Sequence, residues 1–150
     1  MIKVHQLFAS CLGIGKVKGG GTIAAIVFAA VWYLLFRWVR ADNIALLGTS
    51  MLTAAGIWSA NEVEPYWGKD SSRVVIDEAA GICISLLFVP VTPVHVLVAL
   101  LLFRFFDIVK PLFIRRVEKL PGGWGVMLDD VLAGIYSNIV LQLMIYYNIA

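Results

Sequence analysis

Four apolar blocks run along the chain, at residues 23–38, 43–60, 74–106 and 131–149, and polar, glycine-rich or proline-rich joints separate them. A membrane-crossing α-helix needs about 17–25 predominantly apolar residues. The first block is nearly continuous in apolar residues, whereas the second carries glycine, serine and threonine, which let membrane helices approach closely. The pattern predicts an all-α fold, an integral membrane helical bundle with about four to five membrane segments.

The third block contains a proline-rich interruption, Pro90-Val91-Thr92-Pro93. Two prolines this close together end a helix and make a turn, because proline lacks the backbone N–H and clashes with the preceding helical turn. We therefore expect a helical hairpin with arms at residues 74–89 and 94–106. Each arm is short for a full crossing, so the hairpin implies a tilt, a bend or a thin site.

Composition separates this chain from ordinary soluble proteins. Its 150 residues suit a single domain, 1–150, and 61% of them are hydrophobic while 15% are charged. Soluble domains average about 45–50% apolar and about 25% charged residues. This excess argues against disorder, a coiled coil or a soluble enzyme, and a net charge of +2 is too small to indicate a nucleic-acid partner. Cys11 and Cys83 lie in apolar surroundings and are expected to be buried free thiols.

The charged residues predict an orientation in the membrane. With a cytoplasmic N-terminus and five membrane segments, all basic residues except Arg37 and Arg40 fall in cytoplasmic joints, as the positive-inside rule expects. The cytoplasmic set is Lys3, Lys16, Lys18, Lys69, Arg73, Arg104, Lys110, Arg115, Arg116 and Lys119. All acidic residues except Asp42 lie on the same face. We therefore expect the chemistry of the protein at the cytoplasmic surface.

Five carboxylates stand beside the apolar blocks: Asp77, Glu78, Asp107, Asp129 and Asp130. If they converge on one membrane face, they can form a site for Mg²⁺, which takes oxygen ligands that often include one or two carboxylates. Ionisable groups at membrane helices also mark functional sites. The alternative is structural, because acidic residues favour helix N-termini through capping and the helix dipole. That alternative fits Asp107 least well, since this residue ends an apolar run.

Two cations and two glycine-rich stretches could bind phosphate beside such a metal. Lys110 follows Asp107 by three residues and would share a helix face with it, and Arg104 precedes it by three. A local ion pair is the favoured alternative for Arg104 taken alone. The stretches at residues 19–22 and 122–125 could offer backbone amides to phosphate. A flexible loop is the favoured interpretation of each stretch by itself.

Other phosphatase and nucleotide-binding signatures are missing from the sequence. No Gly-Lys-Ser/Thr follows the glycines, so neither stretch is a P-loop. No arginine follows Cys11 or Cys83 at the spacing of a cysteine phosphatase, and no Asp-x-Asp or paired-histidine motif occurs. His5 and His95 are expected to be structural.

Three motifs, in this order, resemble the phosphatidylglycerophosphatase A family. They are Ile76-Asp77-Glu78-x-x-Gly81, Phe103-Arg104-x-Phe106-Asp107-x-x-Lys110-Pro111 with Ile114, and Gly122-Gly123-x-Gly125-Val126-Met127-x-Asp129-Asp130-x-x-Ala133-Gly134. The family's first block, a glycine-rich loop ending Pro-Gly-Thr-x-Gly-Ser, is reduced here to Gly21-Thr22. Ala24 and Ala25 stand at the positions of its Gly and Ser, and Phe113 replaces a usual proline.

The resemblance implies a Mg²⁺-dependent phosphatase of the bacterial inner membrane that converts the phospholipid phosphatidylglycerophosphate to phosphatidylglycerol and phosphate. It implies that the catalytic carboxylates hold one or two Mg²⁺, these being Asp77, Glu78, Asp107, Asp129 and Asp130. Lys110, Arg104 and the amides near Thr22 would bind the substrate phosphate. The nucleophile is either a metal-activated water or a carboxylate, and the sequence leaves both open.

Two other functional classes fit the sequence without the resemblance. A cation- or proton-coupled transporter would also place acids in a helical membrane protein, but near the middle of the bilayer. A non-catalytic membrane scaffold would need no metal.

Overall fold

A computed structural model describes residues 1–39 and 41–149, and within these residues the regular structure is entirely helical. The elements are α1 (Ile2–Ala9), a 3₁₀ turn (Ile14–Lys16), α2 (Gly20–Phe36), α3 (Asp42–Trp67), α4 (Ile76–Ser85), α5 (Pro93–Val109), α6 (Ile114–Val117) and α7 (Gly123–Tyr146). The predicted all-α class is confirmed. Arg40, which we assigned to the outer face, lies outside the described residues.

The bundle is built around a close crossing of α4 and α7, and α3, α5 and α6 also pack on α7. Glycines permit this crossing, since a Cβ atom placed on Gly134 would lie 2.5 Å from the carbonyl oxygen of Gly81. Ser85 Oγ donates to the carbonyl oxygens of both glycines, at 2.9 Å to Gly81 and 3.4 Å to Gly134. The crossing therefore fixes the start of α4 beside the first turns of α7.

The predicted hairpin is present, but its first arm is shorter than expected. α4 ends at Ser85, and the side chain of Thr92 caps α5 by accepting a hydrogen bond from the His95 N–H at 3.1 Å. Pro93 takes the first position of α5, where the N–H that proline lacks would have no helical partner. The ten residues of α4 rise about 15 Å, roughly half the thickness of a bilayer core, so α4 cannot cross a membrane alone.

Two other helices are longer than predicted. α3 continues past residue 60 to Trp67, and α7 begins at Gly123 rather than at residue 131. The prediction of a flexible loop at residues 122–125 is wrong, because Gly123 packs against the backbone of α3 and its N–H donates to Asn61 Oδ1 at 2.7 Å. The stretch at residues 19–22 is likewise ordered, since Gly20 opens the first turn of α2.

The structure supports fewer membrane-crossing helices than the sequence pattern predicts. Among the described helices, α7 alone is long and apolar enough to span a bilayer by length and composition, and α2 is apolar but only 17 residues long. Large apolar side chains are nevertheless exposed on α2, α3, α5 and α7, among them Leu35, Leu47, Leu101 and Leu143. Extended exposed apolar surface marks a site of contact with lipid or with another protein.

The two cysteines and two histidines have structural surroundings. Cys11 and Cys83 are buried free thiols, as predicted. Burial, and secondarily the charge of Glu78, raises the pKa of the Cys11 thiol to about 12, which makes it a poor nucleophile at neutral pH. His5 Nδ1 lies 3.1 Å from Ser59 Oγ, and His95 Nδ1 lies 2.7 Å from the Pro90 carbonyl oxygen.

Candidate active site

The side chains that we singled out for phosphate or metal binding all line one cleft of about 450 Å³ at one end of the bundle. The start of α2, the start of α4, the end of α5 and the first turns of α7 meet there. The set is Thr22, Asp77, Glu78, Arg104, Asp107, Lys110, Asp129 and Asp130, and we call their site the acidic cleft. Four helices that are distant in sequence thus contribute to a single site.

Three of the carboxylates form a compact group. One oxygen from each of Asp77, Glu78 and Asp130 lies within 4.8 Å of the others. The α4–α7 crossing explains this arrangement, because Asp77 precedes Gly81 by about one helical turn and Asp130 precedes Gly134 by the same interval. Two helices that touch at the glycines therefore carry their acids into contact one turn away.

The other two carboxylates are paired with cations. Arg104 Nη1 lies 2.7 Å from Asp107 Oδ2, though outside hydrogen-bonding geometry, and the local ion pair predicted for Arg104 is confirmed. Lys110 Nζ donates to Asp129 Oδ2 and to Glu118 Oε1, both at 2.8 Å. Lys110 thereby ties the end of α5 to α7.

The predicted helix face shared by Lys110 and Asp107 is wrong. α5 ends at Val109, and Lys110 adopts the left-handed conformation with φ 47°. The chain therefore turns away from the helical path before Lys110, and its ammonium reaches Asp129 and Glu118 instead. Side chains three residues apart share a face only while the helix continues.

Helix capping explains only part of the acidic cleft. Asp77 and Glu78 lie in the first turn of α4, where the helix dipole favours a carboxylate. The first turn of α7 holds no acidic residue, so Asp129 and Asp130 lie too far into the helix to act as caps. Asp107 lies near the C-terminus of α5, where the dipole disfavours negative charge. These three positions therefore require another reason for their charge.

The electrostatics of the cleft favour a bound cation. Burial raises the pKa of Asp77 well above its ordinary value, and the negative charge of Glu78 raises it further. Glu78 Oε2 is buried and has no hydrogen-bond partner among the described residues.

Burial lowers the pKa of Lys110, but its hydrogen bonds to Asp129 and Glu118 outweigh burial and raise the pKa overall, so this side chain stays charged.

Some cleft residues have no counterpart in the sequence prediction. Lys18, Asp70, Ser71 and Ser72 also line the cleft, and Glu118 contacts Lys110 from just outside it. The position of Lys18, immediately before the glycine stretch at residues 19–22, is a signal that the sequence offers. The loop after α3 and Glu118 reach the site through turns that no periodicity predicts.

Comparison with known proteins finds one matching family model and several related proteins. The family model described as phosphatidylglycerophosphatase A matches residues 7–145. A Bacteroides thetaiotaomicron protein named "Putative phosphatidylinositol-3-phosphatase" is 46% identical over 81% of this chain and 78% of its own length. The phosphatidylglycerophosphatase A proteins of Haemophilus influenzae and Escherichia coli are 39% and 31% identical, over 70% and 86% of this chain and 66% and 75% of their own lengths. No solved structure matches the chain significantly.

Proposed function

The chain belongs to the phosphatidylglycerophosphatase A family, a family of phosphoric monoester hydrolases, and we propose that it removes the terminal phosphate of phosphatidylglycerophosphate to give phosphatidylglycerol. The observation that carries this proposal is the convergence of six carboxylates, three cations and the start of α2 in one cleft, with all five predicted carboxylates among them. A phosphate monoester is itself an anion, so it can enter such a cleft only where positive charge outweighs the acids.

Mg²⁺ is the cofactor that we propose to supply that charge. Asp77, Glu78 and Asp130 would hold it, because they offer clustered oxygen atoms of the kind that this hard cation prefers. The Oε2 atom of Glu78 is buried and has no hydrogen-bond partner among the described residues, which fits a metal ligand, since an unpaired buried carboxylate oxygen is otherwise costly. When bound, Mg²⁺ supplies charge stabilisation at phosphoryl oxygens and lowers the pKa of coordinated water.

The remaining cleft residues would position the phosphate. Lys110 is held by Asp129 and Glu118 at 2.8 Å, so its charge stays at a fixed place in the cleft. The first turn of α2 has no side-chain cap, which leaves the N–H groups of Gly21 and Thr22 without helical partners. Such amides bind phosphate oxygens at helix N-termini. Arg104 adds a second positive charge beside Asp107.

A second substrate is favoured by one comparison. The Bacteroides relative, 46% identical to this chain, carries the name of a phosphatidylinositol-3-phosphatase. Phosphatidylinositol 3-phosphate and phosphatidylglycerophosphate have similar headgroups. In each lipid a phosphodiester links the diacylglycerol to a polyol, and the polyol carries a phosphate monoester. The rates of phosphate release from these two lipids, measured side by side on the purified protein, rank the two candidates.

The metal requirement tests the mechanism. We expect EDTA to stop phosphate release from phosphatidylglycerophosphate and added Mg²⁺ to restore it, because the three clustered carboxylates would otherwise repel the substrate phosphate. Inorganic phosphate is measured in detergent micelles before and after metal replacement. Full activity in the chelator would overturn the metal proposal. If the protein hydrolysed no lipid with a phosphate monoester, the proposed function would be overturned.

We further propose that the acidic cleft faces the cytoplasm from a bacterial membrane. Exposed apolar side chains on four helices support immersion in lipid, and α7 is long enough to cross it. The basic residues of the cleft end support a cytoplasmic orientation. The acids gather at one end of the bundle rather than halfway along it, which disfavours a transporter.

Cysteine labelling checks this orientation. We expect Val94→Cys, at the exposed start of α5, to react with a membrane-impermeant maleimide on intact cells. Lys119→Cys, near the cleft end, should react only after lysis. The native thiols of Cys11 and Cys83 are buried and contribute little background. Labelling of Lys119→Cys alone on intact cells would show that the orientation is inverted.

A further inference from the structure

A second pocket of opposite charge adjoins the acidic cleft. It is an open cavity of about 560 Å³ with three cations and no acidic residue in its lining, which consists of Gly15, Lys16, Val17, Lys18, Ser72 and Arg73. We call it the basic pocket. Val17, Lys18 and Ser72 line both cavities, so the two form one continuous surface.

The fold holds the two halves of the basic pocket together. Lys16 ends the 3₁₀ turn, and Arg73 lies in the connection between α3 and α4. These segments touch through their backbones, because a Cβ atom on Gly15 would collide with the carbonyl oxygen of Arg73. A hydrogen bond of 2.9 Å from the Val75 N–H to the Ala9 carbonyl oxygen also ties the α3–α4 connection to the end of α1. The backbone positions of the cations are therefore fixed relative to each other.

The charges of the basic pocket are available to an external anion. Within the described residues, Lys16, Lys18 and Arg73 form no salt bridge, in contrast to Arg104 and Lys110 in the acidic cleft. All three are exposed, and the guanidinium of Arg73 lies over the ring of Trp67 at 5.9 Å. A cluster of unpaired cations without an acid favours an anionic ligand.

We propose that the basic pocket binds the phosphodiester of the lipid substrate, so that the enzyme selects lipids with two phosphates over lipids with a single phosphate monoester. This inference rests on the proposed function. In phosphatidylglycerophosphate only a glycerol unit separates the two phosphates, so their sites must adjoin, as these two cavities do. Phosphatidic acid has a monoester but no phosphodiester, and it would leave the basic pocket empty.

The test is a double variant, Lys16→Ala with Arg73→Ala, assayed in neutral detergent micelles, since these two cations line the basic pocket but not the acidic cleft. Exposed charge contacts are typically worth about 1.5–5-fold in binding each, so we expect KM for phosphatidylglycerophosphate to rise roughly tenfold. The kcat/KM for phosphatidic acid should stay within about twofold of the wild type, because the acidic cleft is intact. The matched control replaces two other exposed cations that line neither cavity, Lys3 and Lys119, with alanine, and hydrolysis of both lipids should stay unchanged.

Bulk anionic lipid offers the same phosphodiester chemistry, and the assay separates it from the substrate. In neutral micelles the substrate is the only source of a phosphodiester. An effect that appears only in vesicles containing phosphatidylglycerol would assign the pocket to bulk lipid and overturn the proposal. An equal loss on both substrates in micelles would also overturn it, as would no loss on either.

Direct binding separates a failure of this inference from a failure of the proposed function. Phosphatidylglycerol carries the phosphodiester alone, and its Kd in neutral micelles should rise in the double variant but not in the control. If the wild type hydrolyses neither lipid but this Kd rises, the proposed function falls and the pocket assignment stands. If the Kd does not change, the assignment falls whatever the activity.

Discussion

Replacing Asp130 with Asn should lower the rate of phosphate release by roughly 10²–10³-fold, because removal of one group that stabilises developing charge in a preorganised site typically costs that much. Asp130 is 3% exposed and lies against Asp77 and Glu78. Asn keeps the size of the side chain but removes the charge. We expect a similar loss for Asp77→Asn, measured as phosphate release by purified, folded protein at saturating Mg²⁺.

Glu62→Gln is the matched control for these variants. Glu62 lies on α3, is exposed, and is not part of the acidic cleft. Its rate should stay within about twofold of the wild type, since surface substitutions away from a site have small effects. If Asp130→Asn stays within a few-fold of this control while retaining its fold, the clustered acids are structural.

The acidic cleft could be predicted from the sequence because its residues stand at the ends of apolar blocks. When helices alternate in direction, the end of one block and the start of the next meet on the same side of a bundle. This rule predicts that Asp77, Asp107 and Asp130 lie at one end of the bundle, as they do. It does not decide which charges pair, and the partner of Lys110 depends on a left-handed turn that the helical spacing does not reveal.

Helix ends were predicted less well, because tertiary contacts determine them here. Glycine disfavours a helix by about 1 kcal/mol relative to alanine, so residues 122–125 suggest a loop. Packing on α3 and the hydrogen bond from Gly123 to Asn61 override that preference. The apolar run after Ser85 gives no sign that α4 ends there. Asn138, far along the chain, accounts for it by donating to the carbonyl oxygens of Ser85 and Leu87.

Two other glycines, also poor helix formers, allow the close helix crossing that forms the acidic cleft. Gly81 and Gly134 lie where α4 and α7 cross, and a side chain on either would meet the backbone of the other helix or its neighbours. Gly48 on α3 differs, since a Cβ atom there would have no heavy atom within 4 Å. Alanine substitutions at Gly134 and at Gly48 are therefore expected to have opposite effects on stability.

Gly134→Ala should lower the free energy of unfolding by about 1–3 kcal/mol, because the added methyl would overlap the Gly81 carbonyl group and force the helices apart. It should also reduce phosphate release, since the crossing sets the approach of Asp130 to Asp77. Gly48→Ala should instead raise stability by about 0.5–1 kcal/mol, because alanine is the better helix former and meets no obstacle. Thermal unfolding followed by circular dichroism in detergent, with the initial rate measured on the same samples, checks both variants. If Gly134→Ala is as stable and as active as Gly48→Ala, the close crossing does not position the acidic cleft.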